Sequence, residues 1–182
     1  KPQNIPSQGD SSGDLDLLTL LKQYIKEKYQ KQGNVYLGLV HRLDRPTGGV
    51  MVFAKNSKSA ERLSKQIAEG EMSKQYLATV VGCPKERKAH LTHYLKKNAL
   101  TNNVYVATFG DHDAKRAELD YEVLETYNDT VSLVKVQLGT GRSHQIRVQM
   151  QAIGCPVFGD VRYGGDSLLK GGNLALWAYK LE

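Results

Sequence analysis

Four charged or titratable side chains fall within five residues at His41-Arg42-Leu43-Asp44-Arg45. Among them Asp44 is the group that can act as a carboxylate nucleophile, provided it stays ionised where it works. Burial in a dry pocket favours the neutral acid, whereas a guanidinium a few ångström away favours the carboxylate and fixes its aim. Arginine suits that task because its planar fork can hold a carboxylate by two bonds. A solvated turn that merely happens to carry charge satisfies the same spacing.

The elements around Asp44 decide how it is held. The runs 35–40 (VYLGLV) and 50–54 (VMVFA) are short, β-branched and aromatic and are bounded by Gly and Pro, so they predict strand, turn, strand with Asp44 on the connection. Connections held by a rigid sheet concentrate functional groups. Pro46, Gly48 and Gly49 restrict or redirect the backbone there.

Residues 1–13 are rich in Pro, Gly, Ser and Gln and predict a loop. From Asp14, the predicted N-cap, Leu17, Leu18, Leu21, Tyr24 and Ile25 follow helical spacing up to Gly33. Asn56 or Ser57 caps a second helix with an apolar stripe of Ala60, Leu63 and Ile67, ended by Gly70. Lys74 to Val81 alternates as a strand with Tyr76, Ala78 and Val80 on one face. Further strands are expected at 89–95 and 104–109, then a hairpin of 117–126 and 131–138 turning at Asn128-Asp129. Ser143 is the predicted cap of a helix carrying Ile146, Met150 and Ile153 up to Gly154; Asp160 to Gly165 reads as a loop and Leu174 to Leu181 as a final strand. Hairpin-joined strands with a few helices predict an α+β fold with a mostly antiparallel sheet, not a doubly wound parallel one.

Three stretches carry a resemblance. HRLDRPTGG at 41–49, followed by VMVFAK, is similar to the signature of the RluA-type pseudouridine synthases. LGTGRSHQIR at 138–147 resembles that family's arginine motif and KQYLA at 74–78 its tyrosine motif, in the family's order. Lys1-Pro2 resembles a truncated first motif. The resemblance implies a bent mixed sheet, mostly antiparallel, with flanking helices: the pseudouridine synthase catalytic fold. It implies isomerisation of specific uridines in structured ribosomal or transfer RNA, with Asp44 as nucleophile on a flipped-out base, Tyr76 as the stacking ring and Arg142 as the carboxylate's partner. Arg42, Arg45, Lys74, His144 and Arg147 are the expected RNA contacts, and His41 is expected to orient the turn. Detaching, turning and rejoining the base involves no redox step, so no cofactor and no metal is expected. Four positions depart from the pattern, namely Gly48, Ser143, Gln149 and Cys155, where Ser, Thr, His and His are usual; they bear on substrate preference, not on reaction class. A non-catalytic RNA-binding or RNA-folding module using the same cleft is the alternative.

Composition agrees without deciding. At 182 residues and 40% hydrophobic content the chain predicts a single domain over 1–182; the resemblance implies that it is the catalytic one, without an S4-like module, and the abrupt ends at Lys1-Pro2 and Leu181-Glu182 suggest a piece trimmed at both ends. The formal net charge of +6 is compatible with RNA and also with plain solubility. No apolar run approaches membrane-spanning length and the amino terminus lacks a hydrophobic signal core, so no membrane association and a cytoplasmic location are expected; a monomer is also expected. Cys83 and Cys155 read as reduced, buried thiols. A kinase HRD loop is excluded, because Leu43 interrupts the motif, no glycine-rich nucleotide loop precedes it and the chain is too short.

Overall fold

In the computed structural model, which describes residues 1–164 and 173–182, Asp16 starts the first helix. Its Oδ1 accepts the Thr19 amide at 3.0 Å and its Oδ2 the Thr19 hydroxyl at 2.8 Å, so α1 spans Leu17–Lys28. This corrects the expected cap at Asp14, whose carboxylate instead meets Arg45. Leu17, Leu18, Leu21 and Ile25 are half-buried as the spacing requires. Tyr24 is 53% exposed, its hydroxyl taken by Lys28 Nζ at 2.8 Å, and it leaves the apolar stripe.

This helix belongs to the first of two compact units, Lys1–Met72 with Leu181. The strands flanking the Asp44 connection are shorter than expected: β1 (Gly38–Leu39) pairs antiparallel with β3 (Phe53–Ala54), and β2 (Gly48–Gly49) is a brief extended stretch between them. Residues 1–7 take backbone bonds of the connection at Arg45 and Gly49. Helix α2 (Ser57–Ala68) is capped by Asn56, whose Oδ1 accepts the Ser59 amide at 2.8 Å, and it ends at Gly70 with φ +75°. α2 packs on β1 and β3 through small residues. A Cβ at Gly38 would meet Ala60 Cβ and the Tyr36 hydroxyl, both at 3.1 Å, so a larger residue there would push the helix off the hairpin.

The second unit, Ser73–Lys180 with Glu182, is built on the strands β4 (Lys74–Val81), β5 (Lys88–Lys97), β6 (Val104–Ala107), β7 (Lys115–Tyr127), β8 (Val131–Leu138) and β9 (Leu176–Leu181). They lie in the order β9-β4-β8-β7-β5-β6, and the β4–β8, β7–β8, β5–β7 and β5–β6 pairs are all antiparallel. Period-two patterning sets the core: Tyr76 lies opposite Val136, itself opposite Tyr121, and Ala78 opposite Val134, itself opposite Val123, all buried on one face. Each of the buried valines among them contributes about 1.5–3 kcal/mol. The hairpin turns at Asn128 and Asp129, both left-handed at φ 47° and 52°, as the Asn-Asp pair predicts. A bulge between Val123 and Glu125 interrupts the register and bends β7.

Helix α3 (Gln145–Ala152) packs on β5 and β6 with Ile146, Val148 and Met150 buried, and Gly154 (φ +79°) follows its end. Ser143 is not its cap. His144 occupies that position in a left-handed conformation (φ 51°) with no side-chain cap bond. Gln149 sits fully buried beneath the sheet, its Nε2 donating to the Leu91 and Ala117 carbonyls and to His93 Nδ1 at 3.0–3.3 Å. Burial pushes the His93 pKa down, which suits an imidazole used as an acceptor. Cys155 is buried as expected, but Cys83 is exposed, because it lies on the turn after β4 beside Thr126 at 3.8 Å. The loop predicted from Asp160 is present as a turn through Gly164; its last residue, Gly165, lies outside the described residues.

Candidate active site

Asp44 is half-buried on the connection between β1 and β3, and the backbone around it is pinned from the amino-terminal side. Lys1 and Gly49 exchange backbone bonds at 2.6 and 3.0 Å, the Asn4 amide donates to the Arg45 carbonyl at 2.9 Å, and Ser7 Oγ both donates to the Leu43 carbonyl (3.0 Å) and accepts the Leu43 amide (3.3 Å). Within the turn the Thr47 amide donates to the Asp44 carbonyl at 2.9 Å, and Gly49 leaves it at φ +122°, a conformation suited to glycine. On the far side His41 Nε2 accepts the Val52 amide at 3.0 Å, which ties the start of the connection to its end. The buried Thr47 Oγ1 has no hydrogen-bond partner among the described residues.

One cation reaches this loop from outside the 41–49 motif. Lys1 Nζ donates to the Ile5 and Arg45 carbonyls at 2.8 Å each and lies within electrostatic range of Asp44. Burial lowers its pKa to about 8, with the Asp44 carboxylate opposing that drop and Arg45 adding to it. It is therefore charged roughly ten to one at pH 7. Sequence reasoning noted Lys1 only as part of a truncated motif; nothing in the spacing tied it to a residue more than forty positions away.

Arg42 is exposed, and its guanidinium makes no hydrogen bond or ion pair among the described residues. Arg45 differs. Its guanidinium is committed to Asn4, Ser12 and Asp14, so the structure shows it bound to its own chain.

In the second unit, Lys74 and Tyr76 share one face of β4. Lys74 pairs in register with Leu138, the residue before the Gly139–Arg142 turn, and its Nζ lies 3.5 Å from where a Cβ on Gly141 would sit. Burial pushes the Lys74 pKa down. Tyr76 is buried among the core residues of its face. Arg142 is exposed, with Nε donating to the Arg116 carbonyl at 2.9 Å and its terminal nitrogens making no bond among the described residues. The turn that carries it is organised by Gln145. The Gln145 Oε1 accepts the Arg142 amide (2.9 Å) and the Thr140 hydroxyl (2.8 Å), while its Nε2 donates to the Glu118 carbonyl at 2.9 Å. Gln145→Leu is expected to lose about 1–3 kcal/mol, because it strands buried polar groups. Urea denaturation measures this, and a loss within experimental error would show that the turn holds without the amide.

His144 and Arg147 both bond to side chains of their own chain. His144 Nδ1 bonds the Tyr163 hydroxyl at 2.6 Å, and that hydroxyl also accepts the Val104 amide at 2.9 Å. The Arg147 side chain is 6% exposed and forms a two-bond pair with the fully buried Asp160, both bonds at 2.7 Å, with the Tyr163 ring 4.9 Å away. Helix spacing does not reveal this role for Arg147, because its buried partner lies thirteen residues on. Among the described residues no three His, Cys, Asp or Glu side chains gather as a bound metal would need.

Residues 1–152 match the family model described as RNA pseudouridylate synthase. The chain belongs to that family. The ribosomal large subunit pseudouridine synthase C of Rickettsia bellii is 31% identical over 169 residues, covering 93% of this chain and 54% of its own. An uncharacterized RNA pseudouridine synthase of Aquifex aeolicus is 36% identical over 160 residues, covering 87% of this chain and 49% of its own. The chain thus spans about half the length of the curated relatives it matches. The solved human RNA pseudouridylate synthase domain containing 4 superposes with a TM-score of 0.84 at 24% identity, over 100% of this chain and 78% of that one, so the α+β fold expected from the motifs is the family's fold.

Proposed function

We propose that the protein isomerises specific uridines to pseudouridine in structured ribosomal or transfer RNA. Asp44 is the nucleophile, Tyr76 the ring against which the extruded base stacks and Arg142 the guanidinium that keeps the reacting carboxylate charged. The two units act as one catalytic domain. What carries this reading is a half-buried carboxylate on a loop pinned from several sides, within a chain matched over residues 1–152 by the RNA pseudouridylate synthase family. The base must leave its stack, which costs a few kcal/mol, and a ring beneath it returns about 1–3 kcal/mol. The reaction needs no electron transfer, so side chains suffice. In the same reading the protein is a monomer working in the cytoplasm. Nothing in the described residues is a helix long and apolar enough to cross a membrane.

The test is incubation of the protein with total cellular RNA followed by nucleoside chromatography. Pseudouridine must rise above that of RNA incubated alone, and no rise would favour a module that binds RNA without modifying it. A second expected result concerns salt. Phosphate contacts release counterions, so log affinity should fall linearly with log salt, and Arg42→Ala should flatten that slope by about one. A slope indifferent to salt contradicts an RNA-binding surface.

A further inference from the structure

We propose that Arg45 is a positioning residue, a latch that fastens the Asp44 loop to the acidic turn at Asp10–Asp14, rather than a contact to RNA; this rests on the reading of Asp44 as the nucleophile. The neighbour of a reacting group must either touch the substrate or hold the group in place, and the bonds of Arg45 indicate which. Its Nε donates to the Asn4 carbonyl at 3.2 Å, one terminal nitrogen donates to Ser12 Oγ at 3.0 Å with Asp10 Oδ2 4.0 Å away, and the other donates to Asp14 Oδ2. Its own carbonyl accepts the Asn4 amide at 2.9 Å and Lys1 Nζ at 2.8 Å. Side chain and backbone of one residue therefore both grip the segment that runs past the loop.

The acidic turn is built to receive it. The Asp10 Oδ1 accepts the Ser12 hydroxyl (2.5 Å) and amide (2.9 Å), and Ser12 Oγ accepts the Asp14 amide at 3.2 Å. These bonds hold the Asp10 carboxylate and the Asp14 backbone independently of Arg45. The Arg45 bond, then the Ser12 hydroxyl, hold the Asp14 carboxyl below its usual range; for Asp10 the Ser12 bonds come first. Two carboxylates share the one guanidinium, so its charge is already committed within the chain. An isolated exposed pair would contribute little, but a fork with three partners constrains geometry beyond its Coulomb energy. A small displacement of a reacting atom is enough to slow chemistry severalfold without changing binding.

The experiment compares Arg45→Ala, Arg45→Lys and the double variant Asp10→Asn/Asp14→Asn with the unaltered protein in two measurements. In the protein alone, amide hydrogen exchange at Asn4 and Thr47 should quicken at least about fivefold in Arg45→Ala, because local opening sets that rate. With RNA, Arg45→Ala and the double acid variant should each lower kcat about three- to tenfold with KM within about twofold, and combining them should add nothing further. Arg45→Lys, which keeps the charge but not the fork, should fall between. The salt slope of RNA affinity should not change. The proposal is overturned if Arg45→Ala raises KM and flattens the salt slope while the acid variants leave kcat alone or tighten RNA binding. If the unaltered protein makes no pseudouridine, the functional reading fails; exchange then decides the latch, with faster exchange upholding it and unchanged exchange overturning it.

Discussion

Asp44→Asn is expected to lower pseudouridine formation by at least about 10³-fold, the scale on which losing a nucleophile acts, while RNA affinity stays close to that of the unaltered protein. Asparagine has the same shape but no anionic oxygen, so it cannot form or release a covalent bond to the substrate as a carboxylate does. The loop has little reason to move. The backbone bonds of the loop, from the Thr47 amide to the Asp44 carbonyl and from Asn4, Ser7 and Gly49 through other residues, are all available to the asparagine variant. Kinetics and binding measured on the same preparation separate the two effects. Full activity in Asp44→Asn would remove Asp44 from the chemistry; loss of binding together with activity would mean that the carboxylate shapes the RNA surface.

The largest expected effect on stability is at Arg147. Its two-bond pair with Asp160 is almost completely shielded from water, and Asp160 also accepts the Arg162 and Tyr163 amides at 3.0 and 3.1 Å. Arg147→Met leaves a buried carboxylate without its cation, and about 3–5 kcal/mol should be lost in denaturant unfolding. Arg147→Met/Asp160→Leu should recover much of that, because replacing both charges removes the desolvation cost with the attraction. The pH dependence has a definite sign. Burial pushes the Asp160 pKa up, but the Arg147 bonds and charge and the two amides together push it further down, so the folded value lies below the unfolded one. The stability this contributes is fully present above the unfolded carboxyl value and is lost as pH falls toward the folded one, so the unaltered protein should lose stability more steeply below about pH 4 than the double variant. Equal acid sensitivity would show that the pair does not carry that linkage.

Much of the fold was legible because strands repeat every two residues. Lys74–Val81 and Val131–Leu138 were bounded as the structure has them, and Tyr76 fell on the predicted face. The helix caps were less legible, since Asp14 and Asp16 are chemically equivalent candidates and only the distant Arg45 decides between them. Ser143 lost its expected role because the Gln145 amide reaches back over the turn, which helix periodicity does not encode. The same limit applied to the candidate site. The resemblance, rather than spacing, pointed to Asp44, Tyr76 and Arg142, and it offered Arg42, Arg45, Lys74, His144 and Arg147 alike as RNA contacts. The structure shows that Arg45 and Arg147 spend their charge on Asp14 and Asp160, partners 31 and 13 residues away that no local pattern names.

The most direct measurement is a transcriptome-wide pseudouridine map of cells lacking this protein, complemented with either the unaltered chain or Asp44→Asn. The account predicts one or a few uridines in ribosomal or transfer RNA that lose the modification and regain it only with the unaltered chain. Restoration by Asp44→Asn, or a map unchanged by the loss, would contradict it.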